Sequence, residues 1–232
     1  MKIGFLDAAT GVMEGIVLLH DKILIYLVYI LIYVFWFISI IVINFNRNKA
    51  TDSIVEDKIN HEEDLETIWT IIPSCILLII GIPSFGLLYM MEEGSSPNLS
   101  IKVIGHQWFW SYEYQRIVDN VFEFDSYLLE DLNEGEFRMV ETDNIVVLPE
   151  KINIRFLISS VDVLHSYAVP PFGVKVDAVP GRINQSMVYI NRLGLFNGQC
   201  SELCGVNHSA MPISVGVIDL ETFSEFLKVK IL

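Results

Sequence analysis

The chain is poor in cysteine and poor in positive charge. Three cysteines in 232 residues do not make a disulfide scaffold, so any that stand together read first as metal ligands or redox groups. Fifteen Lys and Arg face 29 Asp and Glu, a formal charge of −14 that repels phosphate backbones and excludes a nucleic-acid partner. The same acidity suits a basic protein partner drawn in by charge. Internal repeats and low-complexity segments are absent, as is a Cys-x-x-Cys-His haem-attachment motif. The N-terminal MKIGFLDAATGVMEG has neither the basic, acid-poor character of a transit peptide nor a basic region leading to a small-residue cleavage site. No cleavable signal is expected.

Hydrophobic residues, by contrast, make up 52% of the chain, high for a soluble domain and ordinary for a part-membrane protein. Residues 23–43 carry no charge and would span roughly 32 Å as a helix. Residues 67–91 form a second uncharged run, interrupted by Pro73 and Pro83, which membrane helices tolerate. Two buried helices of a soluble core are the alternative, but nothing downstream could cover them. The expectation is a two-helix transmembrane hairpin within residues 1–91. Arg47, Lys49 and Lys58 in the connection outnumber Lys2 and Lys22 before the first helix, which puts both termini on the outer face.

Beyond a polar linker at 92–97 the character changes. Runs such as LSIKVIG, HQWFWSYEY, EFRMV, NIVVLP, NIRFLIS, MVYIN and ISVGVID are rich in Val, Ile and aromatics and are separated by turn residues. They predict an antiparallel β-sandwich or barrel over 92–232, closed by an amphipathic helix at 220–230.

Within that β region, residues 198–212 read GQCSELCGVNHSAMP. Two of the three cysteines, a histidine and a methionine share this one stretch, and His165 in DVLHSYAVP is the distant partner such loops need. Thiolate, thioether and imidazole together suit copper on a β-sandwich. A mononuclear site needs one cysteine, whereas two cysteines a helical turn apart can bridge two copper ions. A tetrahedral zinc site from Cys200, Cys204, His208 and His165 stays open but leaves Met211 without a role. A Cys200–Cys204 disulfide also stays open, though it needs neither His208 nor Met211.

Several stretches in order carry a resemblance: ETIWTIIPSCILLIIGIPS, LLYMMEE, GHQWFWSYEY, FDSY, DNIVVLP, LISSVDVLHSYAVPPFGVKVDAVPGRINQ and GQCSELCGVNHSAMP. The chain resembles subunit II of the haem–copper cytochrome c oxidases in its mitochondrial form. The resemblance implies a cupredoxin-like barrel holding the dinuclear copper centre CuA. Cys200 and Cys204 would bridge both ions, and His165 and His208 would be terminal ligands. Met211 would be a weak thioether ligand, and Glu202 would offer its backbone carbonyl to copper and its carboxylate to a Mg2+ shared with subunit I. Trp108 would accept electrons from cytochrome c, with Gln107, Asp125, Asp143 and Asp162 as docking residues and Glu113 and Asp119 nearby. From residue 92 onward 19 acids face 10 bases, which suits that basic partner. Glu66 would stand at the mouth of a proton-uptake pathway, although an acid at a helix N-terminus is also ordinary.

Trp110 is expected to be packing, His106 structural, and Cys75 a small apolar filler. The segment QRIVDNVFE at 115–123 departs from relatives, and Arg116 places a positive charge near the docking face. Phe109 and Tyr167 also differ in kind from the family's aromatics. Implied partners are subunit I, other subunits of complex IV, cytochrome c and the bilayer. The implied setting is the mitochondrial inner membrane, with the β-domain and both termini in the intermembrane space. Three rivals compete. A quinol oxidase subunit II lacks the copper ligands, a copper-delivery protein needs no aromatic relay, and a nitrous oxide reductase needs a large second domain.

Overall fold

A threonine starts the first helix. The Thr10 hydroxyl accepts the Met13 N–H at 3.1 Å, and Glu14 sits in the first turn where the helix dipole favours an acid. The computed structural model describes residues 4–44, 61–92, 94, 96–114, 122–135 and 137–231. Lys2, the connection with Arg47, Lys49 and Lys58, the linker residues Glu93 and Ser95, and residues 115–121 of the divergent stretch, with Arg116 and Asp119, lie outside the described residues. Of the five charges that oriented the hairpin, only Lys22 is described. By contacts the chain divides into two units: Val17–Leu88, and Met1–Ile16 together with Tyr89–Leu232.

The hairpin consists of α1, Gly11–Asn44, and α2, Glu63–Glu92. Both helices start earlier than their uncharged runs at 23–43 and 67–91. Charges at Glu14, Asp21 and Lys22 end an apolar run without ending a helix. In α2 the acids Glu63, Asp64 and Glu66 fill the first turn, and Pro73 and Pro83 lie inside. Hydroxyls of Thr67, Thr70 and Ser74 donate to carbonyls four residues back at 2.9 Å, so these polar groups are satisfied within the helix. The most apolar windows have mean hydropathies of 2.6 and 2.3, and none of their residues is buried by protein. Apolar faces this bare are stable only in lipid, and the two helices are membrane-spanning.

The second unit is a β-sandwich. One sheet has the order β3-β2-β1-β5-β8, from Phe122–Ser126, Phe109–Tyr114, Leu99–His106, Asn153–Ser160 and Asn184–Tyr189. The other runs β4-β10-β9-β6-β7, from Val146–Pro149, Pro212–Ile218, Gly194–Cys200, His165–Val169 and Val174–Ala178. Strict alternation on β1 and β5 sends Ile101, Val103, Ile154, Phe156 and Ile158 inward. Each such side chain stabilises by about 1.5–3 kcal/mol on burial. Two features differ from the sequence expectation. The pairs β1–β5 and β4–β10 are parallel, so the sandwich is mixed rather than antiparallel. The described part of the run EFRMV, residues 137–140, is no strand: Met139 takes a positive φ of 65° and residues 138–140 turn. Side chains tie that turn down instead: Gln199 donates to the Met139 carbonyl and Ser214 to that of Val140.

Three devices close the sandwich. Tyr114 links the sheets, its hydroxyl donating to the Val147 carbonyl at 2.7 Å and accepting the Val147 N–H at 2.9 Å. The helix α3, Leu220–Ile231, is capped by Asp219, which accepts from the Thr222 N–H and hydroxyl, and it buries Phe223 and Leu227. The N-terminal arm adds a short edge. Ala9 donates to the Pro171 carbonyl and accepts from the Asn191 N–H, each at 2.8 Å, and the Thr10 hydroxyl donates to the Phe172 carbonyl.

Candidate metal centre

The second sheet presents two donors from neighbouring strands at one end. His165 begins β6 and Cys200 ends β9, and the ladder between those strands pairs Tyr167 with Cys200. Close packing makes this approach feasible. A Cβ on Gly198 would overlap the Ala168 carbonyl, and one on Gly105 would come within 2.9 Å of the His165 ring. After Cys200 the chain leaves the sheet, passes Cys204 in a loop, makes a 3-10 turn at His208–Ala210, and re-enters β10 just past Met211.

Five soft or borderline donors converge. The Cys200 Sγ lies 4.0 Å from His165 Nδ1, and the Cys204 Sγ lies 3.5 Å from both His208 Nδ1 and Met211 Sδ. Ligand atoms of His165, Cys200 and Cys204 all lie within 4.8 Å of one another. The Cys200 thiol also donates to the Glu202 carbonyl at 3.3 Å. Both cysteines are free thiols, which removes the disulfide reading. Zinc needs four of these donors, and it would leave the Met211 thioether against Cys204 unexplained.

The surroundings favour unequal thiols. Burial raises the pKa of Cys200, but bonds from His165 and from backbone groups at Glu202 and Ser166 outweigh it and bring the thiol down. Burial, then the charge of Cys200, push Cys204 up. Two buried thiols this close do not ionise together at low cost, a conflict that cations placed between them would relieve. Burial opposes protonation of His165, yet Cys200 and Asp162 raise its pKa overall. The donor set, its burial and this electrostatic demand fit a thiolate-bridged copper pair.

Two regions of the chain match the family models of one protein. Residues 99–218 match the description "Cytochrome C oxidase subunit II, periplasmic domain", and residues 1–87 match its transmembrane domain. Cytochrome c oxidase subunit 2 of Neurospora crassa is 50% identical over 97% of this chain and 91% of its own. The chain belongs to the cytochrome c oxidase subunit II family. The periplasmic domain of subunit II from Bradyrhizobium japonicum is 40% identical, with a TM-score of 0.54 over 59% of this chain and 95% of that one. A mixed disulfide intermediate between a thioredoxin-like protein and subunit II of cytochrome c oxidase is 38% identical, with a TM-score of 0.53 over 60% and 94%. The β-domain is therefore cupredoxin-like, and the His, Cys, Cys, Met group is consistent with the CuA-type site of subunit II proteins.

Other residues singled out in the sequence fall around this centre. Trp108 is half-buried in the β1–β2 turn, and its indole N–H reaches the Cys204 carbonyl at 3.3 Å. The Gln107 amide donates to the same carbonyl at 2.7 Å. Gly205, at a φ of 123°, leaves room for both, since a Cβ there would come within 3.1 Å of Trp108. Glu202 is exposed, Asp125 accepts from Ser111 and Tyr127, and Asp143 accepts from the N–H groups of Tyr127 and Asn144. Glu113 pairs with Lys102 at 2.9 Å. Glu66 belongs to the hairpin unit, in the first turn of α2, with His61 Nδ1 3.4 Å from its carboxylate. His106 stacks on Phe109 at 4.4 Å and bonds Ser111, which agrees with a structural role. Cys75 lies on the exposed surface of α2.

Two contacts were not visible in the sequence. Trp110, expected as packing, is wholly buried edge-on to His165 and Tyr167, and its indole N–H donates to the Met211 carbonyl at 3.3 Å. Asp162 lies against His165 Nε2 at 2.8 Å. Its position three residues before the histidine was the signal available, but that spacing is common and carries no specificity alone.

Proposed function

We propose that the chain is the electron-accepting subunit of a cytochrome c oxidase: it takes electrons from cytochrome c and passes them to subunit I, where oxygen is reduced with proton pumping. The convergence of Cys200, Cys204, His165, His208 and Met211 at one buried end of the sandwich carries this reading. Cys200 and Cys204 would bridge two coppers, with His165 and His208 as terminal ligands, Met211 as a weak one, and the Glu202 carbonyl as another. The copper pair, when bound, supplies one-electron redox chemistry shared between two ions.

The protein's own part is to hold, shield and connect. His165, Met211, Cys204 and Cys200 are between 0% and 7% exposed, which keeps water from the donors and limits reorganisation. Trp108 and Gln107 grip the Cys204 carbonyl, so the surface aromatic is joined to a ligand residue through one hydrogen bond. Exposed Leu203 and Val206 on the same loop supply an apolar patch, and the acidic surface with Asp125 and Asp143 attracts a basic partner. The Glu202 carboxylate would reach a Mg2+ shared with subunit I, and Glu66 would admit protons. The hairpin within residues 1–91 would anchor the 92–232 domain in the mitochondrial inner membrane, facing the intermembrane space.

Trp108→Ala separates electron transfer from metal storage. Electron uptake from reduced cytochrome c should fall far more than copper content, because Gln107 still holds the Cys204 carbonyl. Unchanged uptake would overturn the electron-transfer reading.

A further inference from the structure

A groove of about 450 Å3 runs between the two membrane helices. Its α1 wall carries Lys22, Ile23 and Tyr26, and its α2 wall carries Ile79, Ile80 and Pro83. The walls are apolar apart from the Lys22 ammonium and the Tyr26 hydroxyl. A volume of this order is that of a small-ligand site.

Its depth in the bilayer follows from both helices. Lys22 stands immediately before the uncharged run 23–43. On α2, Glu66 is the last acid before the run 67–91, and the rise from Glu66 to Pro83 is about 26 Å. The hydrocarbon core is roughly 30 Å thick, so the groove opens where hydrocarbon gives way to phosphate headgroups.

The charges around Lys22 select the sign of what binds. Asp21 lies against His20 Nδ1 at 3.2 Å, and no described carboxylate pairs with Lys22. Tyr26 adds a hydroxyl one helical turn further along. Pro83 has no N–H, so the Ile79 carbonyl four residues back lacks its usual helical donor. A cation, a hydroxyl and a spare acceptor therefore share one level of the groove. A phosphodiester with a hydroxyl-bearing headgroup matches all three. A choline headgroup brings a second cation beside Lys22 and no hydrogen-bond donor.

We propose that this groove binds an anionic phospholipid, with its phosphate on Lys22 and one acyl chain along Ile23, Ile79 and Ile80. The site needs only the membrane-spanning hairpin and is independent of copper. The assembled oxidase in phosphatidylcholine vesicles, doped with phosphatidylglycerol that carries a photoactivatable acyl chain, tests it.

Cross-linked peptides should map to residues 22–26 and 79–83. Lys22→Gln should lower that labelling about 5-fold, the contribution of one lysine at a lipid surface, and Lys22→Arg should restore it. Phosphatidylcholine with the same photoactivatable chain should label the groove more weakly, and equally in wild type and Lys22→Gln. Equal labelling of the wild-type groove by both lipids, which requires no variant, would overturn the proposal. So would Lys22→Gln labelled as strongly as wild type. Labelling confined to other subunits would overturn it as well, since a neighbouring helix would then cover the groove.

Discussion

The two sides of the metal centre are built by different means. His165 and Cys200 belong to strands β6 and β9, where the backbone ladder sets their separation before any side chain is considered. Cys204, His208 and Met211 sit on a loop, and what fixes them is a set of side-chain bonds reaching across from β1 and β2. Gln107 and Trp108 hold the Cys204 carbonyl, and Trp110 holds that of Met211. The strand side is thus preorganised by the fold, while the loop side is preorganised by the aromatic turn between β1 and β2. The lesson is that Trp108 and its neighbours shape half of the site from a turn that is itself partly exposed.

Breaking the strand side should have the larger effect. Gly198→Ala puts a methyl into the Ala168 carbonyl, so β9 must move away from β6 and carry Cys200 with it. A loss of about 3 kcal/mol in domain stability is expected, at the upper end for overpacking, together with loss of copper. Thermal melting and metal analysis of the detergent-solubilised chain check this, and near-normal copper would show that the ladder does not set the site.

Trp110→Phe probes the loop side more gently. It keeps most of the buried ring but leaves the Met211 carbonyl without its indole donor, at a cost of about 1–3 kcal/mol. Copper should remain bound while the optical spectrum shifts, because the weak thioether ligand loses its anchor. Copper loss as complete as in Gly198→Ala would erase the distinction between the two sides.

Legibility in the sequence follows the same division between local and distant information. The hairpin was readable because 23–43 and 67–91 are apolar throughout, and lipid makes the same demand all along them. The donors were readable because four of them share fifteen residues, and His165 was found as their distant partner. What stayed hidden depends on chain segments far apart. Nothing local distinguishes the parallel β1–β5 and β4–β10 pairs from antiparallel ones. Trp110 looked like core because an indole in a strand usually is, and its bond to Met211 spans 101 residues. The Thr10 arm on the Phe172 carbonyl is a similar case, as is the bond from the Gln107 N–H to Asp162. EFRMV carries strand residues, yet residues 138–140 turn, with a positive φ at Met139.

The central claim is that Cys200 and Cys204 bridge two coppers. Electron paramagnetic resonance of the copper-loaded full chain, with metal counted per chain, tests it most directly. Two coppers per chain and hyperfine structure from one electron shared over both nuclei are the predicted result, lost in Cys200→Ser and in Cys204→Ser. One copper with hyperfine structure from a single nucleus, or zinc taken up in preference, would contradict the account.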